Sequence, residues 1–198
     1  MIGASPVVGP AYVRGERPVD LQPASCSSSD ITLRVALPED ADTLTALTRR
    51  SKGSHGYDAA MMAVFWDDMG ISPETIARDT VVVAEQDGRA LGFAHLMPID
   101  SPDTIYLENL FIEPDAQGRG LGKILFDWAL AEAGRHGYRW LEWDSDPNAS
   151  AFYLKMGGEI VSESESSSFA GRMIPKFRKR TRSLAARGTE RRVDDPAD

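Results

Sequence analysis

Apolar residues recur along this chain in two rhythms, every second position and every third or fourth, and the switches between them mark its elements. Residues 31–36 read as a short strand. Pro38 then stands at a first helical turn, with Glu39, Asp40 and Asp42 complementing the positive end of the helix dipole. Ala41, Leu44 and Leu47 fall on one face, up to a stop near Lys52 and Gly53. A second helical pattern runs through Met61, Met62, Phe65 and Trp66 to Gly70, its large side chains spaced as core residues, and Ser72-Pro73 opens a further turn of helix.

The rhythm changes at Val81. Residues 81–85 and 90–96 are apolar runs flanking Gln86-Asp87-Gly88-Arg89, whose Asp-Gly pair predicts a tight hairpin. A strand over 104–112 follows, then a helix over 120–137 with Leu121, Leu125, Trp128 and Ala129 on one face. Residues 139–144 alternate as a strand, and Ser145 to Asn148 open a helix through Phe152, Tyr153 and Met156 to Gly157-Gly158. Residues 159–161 continue as a strand, 162–168 read as a polar excursion, and 171–177 as a last strand at the sheet edge, where Pro175 is tolerated.

Both ends lack this periodicity. Residues 1–30 carry four prolines and the run Cys26-Ser27-Ser28-Ser29 and read as a disordered tail; residues 178–198 read as a second one, rich in basic side chains. One domain over 31–177 is the expectation for a chain of 198 residues that is 42% hydrophobic. Its charge is unevenly placed: residues 31–175 hold 12 Lys+Arg against 23 Asp+Glu, whereas 176–192 hold eight basic residues and one acidic. An acidic body draws cations such as amines and repels nucleic acid, leaving the basic tail as the one segment suited to RNA. No apolar run reaches the roughly 18 residues of a membrane span, and no basic-then-apolar leader opens the chain, so no membrane partner is expected. The single cysteine, Cys26, rules out a disulfide framework and cysteine-rich metal sites; with no metal-ligand pattern, no metal is expected, and a reducing cytoplasm is the simplest location.

The chemistry is most legible between Glu108 and Lys123. An apolar strand ending at Ile112 meets Pro114, and Gln117-Gly118-Arg119-Gly120-Leu121-Gly122-Lys123 feeds the long helix. Glycines let backbone approach a phosphate, and the first N–H groups of a helix lack internal partners, so the corner is suited to an anion. The spacing excludes a P-loop, because Ile124 stands where Ser or Thr is required, and a dinucleotide fingerprint, because the third glycine comes one residue early.

The order Gln-x-x-Gly-x-Gly after a Pro-terminated strand resembles the acetyl-CoA pyrophosphate loop of the GNAT acyltransferase superfamily. The stretch from Asp144 to Gly158, with Tyr153 on a helix closing in glycine, is similar to that superfamily's second signature. The resemblance covers residues 31–177 and implies an α/β (α+β) fold, a mixed central sheet of six to seven strands with helices on both faces. It implies an N-acetyltransferase that moves the acetyl group of acetyl-CoA to a primary amine of a small molecule or peptide by direct attack in a ternary complex. The strand backbone at Leu110, Phe111 and Ile112 would lie beside the pantetheine arm and acetyl carbonyl. Gln117, Gly118, Arg119, Gly120, Leu121, Gly122 and Lys123 would hold the pyrophosphate. Where relatives place a CoA-contacting Asn, seven residues before the Tyr, this chain has Asp146; Asn148 is the neutral amide nearby and the residue expected to contact the cofactor. Tyr153 is the expected general acid toward the thiolate. Glu108 is the candidate base, although alternation leaves open which face of its strand is the cleft. His55 and Tyr57 lie in the segment that flanks the acceptor in relatives. Two other readings share these residues: a non-catalytic acyl-CoA-binding regulator, and an acetyltransferase led to an RNA-associated substrate by its basic tail. A homodimer that exchanges its last two strands is compatible with the resemblance.

Overall fold

A computed structural model describes residues 31–166 and 169–181; both expected tails, apart from the first residues of the second, lie outside it. Seven strands form one sheet: β1 (Thr32–Val35), β2 (Thr80–Gln86), β3 (Arg89–Pro98), β4 (Thr104–Ile112), β5 (Trp140–Asp144), β6 (Glu159–Glu165) and β7 (Met173–Arg180). Among the described residues five helices accompany them: α1 (Ala41–Gly53), α2 (Ala59–Asp68), α3 (Pro73–Arg78), α4 (Leu121–Arg135) and α5 (Ser150–Lys155). Pro38 starts a single 3-10 turn ahead of α1, because its ring sets a helical φ while its missing N–H is one that a first turn does not use.

The spatial order is β1-β2-β3-β4-β5-β7-β6, antiparallel throughout except for the parallel pair β4–β5. Alternation along the central strands sorts their side chains to two cores. Val82, Ala84, Ala94 and Leu96 face α4 with Leu125, Phe126 and Ala129, while Val81, Val83 and Phe93 face α1 with Leu44 and Leu47. Helices therefore cover both faces, as the resemblance implied. Each fully buried Leu or Phe contributes about 1.5–3 kcal/mol, so Leu125 and Phe126 anchor α4 where its first turn must stay fixed.

Two expectations are corrected by the last strands. Residues 162–165 are not an excursion but continue β6, which carries the sheet's edge, and β7 lies inside, between β5 and β6. Pro175 sits in this interior strand one residue beyond the β5–β7 pairing, which ends at Asp144↔Lys176: its carbonyl still accepts Ser145 N–H (2.9 Å), and its missing N–H falls past the end of the ladder. The strand also runs on through Arg178, Lys179 and Arg180, three residues past the expected domain end. Among the described residues no helix is long and apolar enough to cross a membrane.

Candidate active site

β4 and β5 part company. Their parallel pairing spans only Thr104↔Trp140, Ile105↔Leu141 and Tyr106↔Glu142; β4 then continues to Ile112 while β5 ends at Asp144. The wedge opens a cavity of about 690 Å³. Leu107, Glu108, Leu110, Phe111 and Ile112 line one bank, and Asp144, Ser145, Asp146, Asn148, Phe152 and Tyr153 the other. A strand edge without a neighbouring strand carries backbone donors and acceptors that an extended, amide-bearing ligand can satisfy.

At one end of the wedge, Pro114–Ala116 form a 3-10 turn and the chain enters α4 through Gly118 (φ +77°) and Gly120 (φ +84°). An L-residue in this left-handed region costs roughly 1–2 kcal/mol, which is why glycine stands at both. A Cβ on either would meet nothing within 4 Å, so the glycines serve the backbone turn and leave the space above it open. Ile124 N–H closes the first helical turn on Gly120 O (3.1 Å); the N–H groups before it lack intrahelical acceptors and belong to residues that line the same cavity, Gly118, Gly120, Leu121, Gly122 and Lys123. An oxyanion fits this cradle.

The opposite bank is built from side chains. Asp146 Oδ2 receives Lys52 Nζ, Tyr57 Oη (2.5 Å) and Arg172 Nη2 (3.1 Å), and its Oδ1 accepts Asn148 N–H (3.0 Å). Burial alone would raise the Asp146 carboxyl, but the hydrogen bonds from Lys52 and Tyr57 outweigh it and hold the group down at about 2. Burial and the Asp146 carboxylate push Tyr57 up to about 12, so its hydroxyl donates to Asp146 while accepting from Arg172 Nη2 (2.8 Å) and Asn148 Nδ2 (3.2 Å). Three segments distant in sequence meet here: the end of α1 with the loop that follows it, the β5–α5 turn and the β6–β7 connection.

Of the expected site residues, Glu108, Leu110, Phe111, Ile112, Gln117, Gly118, Gly120, Leu121, Gly122, Lys123, Asn148, Tyr153 and His55 line this single cavity. Arg119 and Tyr57 do not. Arg119 turns away to Gln86 Oε1 (2.8 Å), and Tyr57 stands behind the cavity wall on Asp146. Lys123 pairs with Asp127 one turn along α4. Tyr153 packs against Trp143, Phe152 and Phe126 (ring centroids 5.0, 5.0 and 5.7 Å), and burial raises its phenol above the ordinary value. Gln117 Nε2 reaches Ser54 Oγ (3.3 Å), tying the cradle to the end of α1.

Sequence reasoning missed Lys52 and Arg172 as partners of Asp146. Nothing local marks them, since Lys52 and Asp146 are 94 positions apart. It also missed a bulge at Glu108, for which a signal was present. Ile105 and Leu107 pack against the α4-side core, and so do Leu110 and Ile112; the parity of the apolar positions changes across Glu108.

Comparison with known proteins agrees with this geometry. Residues 42–158 match the model of the acetyltransferase (GNAT) family. Over 141 residues the chain is 30% identical to the peptidyl-lysine N-acetyltransferase YjaB of Salmonella typhimurium, covering 68% of this chain and 88% of that one. Over 74 residues it is 40% identical to the L-2,4-diaminobutyric acid acetyltransferase of Nocardia farcinica, covering 36% of this chain and 38% of that relative's length. In three dimensions it resembles the PaiA N-acetyltransferase of Thermoplasma acidophilum solved with coenzyme A (TM-score 0.63, 21% identity, 76% of this chain and 99% of that one), which speaks to the shared fold.

Proposed function

The chain belongs to the GNAT family of acetyltransferases, and from that premise we propose that it transfers the acetyl group of acetyl-CoA to a primary amine by direct attack within the β4–β5 wedge. The observation that carries this reading is the continuity of the cavity. An anion cradle at the start of α4, an unpaired strand edge and a carboxylate at Glu108 line the same space. The cradle N–H groups of residues 118–123 would hold the pyrophosphate, and the Leu110–Ile112 backbone would pair with the pantetheine amides. Asn148, which gives one N–H to Tyr57 Oη (3.2 Å) and keeps its Oδ1 and second N–H, would meet them as a neutral amide, whereas the Asp146 carboxylate is taken up by Lys52, Tyr57 and Arg172. Acetyl-CoA supplies the activated thioester.

An alkyl ammonium with a pKa of about 10.4 is neutral in roughly one part in 2,500 at pH 7, a handicap of about 4.6 kcal/mol. Glu108, exposed on the cavity lining, would take the proton that the attacking amine loses. The Ile112 N–H would stabilise the developing oxyanion, and the Tyr153 phenol, kept protonated by burial, would give a proton to the departing thiolate. The named relatives act on a lysine of a peptide and on a diamino acid, so both define the first acceptors to try.

Isothermal titration with acetyl-CoA tests the premise. The native chain is expected to bind in the micromolar range, and Gly120→Trp, which fills the cradle, to lose that binding while its melting curve stays cooperative. A folded native chain that ignores acetyl-CoA would overturn the reading.

A further inference from the structure

A buried polar chain runs through the sheet next to the bulge. Arg78 Nε and Nη2 donate to the two Asp79 oxygens (2.8 and 2.9 Å), His95 Nε2 meets Asp79 Oδ2 (2.8 Å), and Asn109 Nδ2 meets His95 Nδ1 (3.1 Å). The side chains of Asp79 and His95 are 2% and 3% exposed. Burial alone would raise the Asp79 carboxyl, but the Arg78 and His95 hydrogen bonds hold it below the ordinary carboxylate range. As an anion it accepts the Nε2 proton, leaving the Nδ1 lone pair for the Asn109 amide. Burying a carboxylate and an imidazole in a sheet face is costly unless each is fully partnered, and apolar residues would pack this face at lower cost. Their placement therefore asks for a purpose.

The register supplies one. His95 pairs with Asn109 and Leu96 with Leu107, so Glu108 is the extra residue of a β-bulge. A one-residue slip would turn Leu110 and Ile112 away from the α4-side core and carry Glu108 out of its present aim. The cross-strand bond from Asn109 to His95 pins the first residue after the bulge, and Asp79, at the end of α3, fixes the ring. We propose that Asp79, His95 and Asn109 are positioning residues that hold the β4 bulge and thereby aim the Glu108 carboxylate at the acceptor amine. This rests on the reading of Glu108 as the base.

A double-mutant cycle in the full chain tests it. The readout is CoA thiol release from acetyl-CoA with the best acceptor from a panel of lysine peptides and small diamines. His95→Leu is expected to lower kcat at least tenfold with the acetyl-CoA KM within threefold. In a Glu108→Gln background the same change is expected to cause less than a twofold further loss. His95→Gln, which keeps one donor and one acceptor, is expected to retain at least a third of native kcat. Equal fold-losses in both backgrounds, or an unimpaired His95→Leu, would overturn the proposal. Should His95→Leu fail to melt cooperatively, Asn109→Ala carries the same cycle from a half-buried position. An undiminished Glu108→Gln single variant would remove the base reading and this inference with it, whereas an impaired one that multiplies with His95→Leu would remove the inference alone.

Discussion

The two banks of the cleft are made of different materials. The β4–α4 bank is largely backbone: a bare strand edge, two glycines at positive φ and the open N–H groups of a helix start. The β5–α5 bank is held by side chains, with Asp146 drawing together Lys52, Tyr57 and Arg172. A backbone surface presents its donors at any pH and whatever side chains surround it, so only its turn geometry is vulnerable. An ion-pair cluster depends on charge, so it titrates and fails when one member is removed. Glu108 is the exception on the backbone bank, a side chain whose aim comes from a bulge.

That exception should give the largest effect. Glu108→Gln is expected to lower kcat by about 10²–10⁴-fold while acetyl-CoA affinity and melting temperature hold, measured by steady-state kinetics and titration. Next comes the turn itself. Gly118→Val forces a β-branched residue to φ +77° and is expected to cost about 1–2 kcal/mol and to weaken acetyl-CoA binding at least tenfold; a variant that binds normally would show that the cradle does not hold the cofactor.

The side-chain bank should respond to pH. The Asp146 carboxyl lies at about 2 in the folded chain against 3.8 for the free group. Its contribution, about 2 kcal/mol, is fully present above pH 3.8 and is lost as pH falls toward 2. Asp146→Asn should therefore melt several degrees below the native chain at pH 6, with the gap closing between pH 4 and 2; a gap independent of pH would mean that the carboxylate's charge is not what holds the bank. Tyr57 shifts the other way: its contribution is present below pH 10 and is lost as pH rises through about 12. The smallest effect belongs to Arg119, whose side chain turns to Gln86. Arg119→Ala should raise the acetyl-CoA Kd less than threefold, because the proposed cradle would act through main chain.

How much of this was legible follows from the same contrast. The cradle could be read directly because each of its requirements is local: Pro114 to end a strand, glycine at two positive φ angles, and an amphipathic helix to follow. That Asn148 and Tyr153 share one short turn and helix was readable for the same reason, and both line the cavity. Arg119 was misleading because a helix-start position marks a backbone N–H and says nothing of where a long side chain goes. The bulge left its trace in the parity of Ile105, Leu107, Leu110 and Ile112, a signal that alternation alone smooths over.

By itself, then, the sequence determined whatever depends on neighbours a few residues apart: the strands and helices, the Asp87-Gly88 hairpin, the glycine turn and the family these imply. Only the tertiary structure decided that β7 inserts beside β5, that Lys52 and Arg172 meet on Asp146, and that Asp79 reaches Asn109 through His95. The physical reason is range. Periodicity and φ preferences act within a turn of chain, whereas strand order and buried charge pairs are chosen by which distant surfaces can be desolvated together.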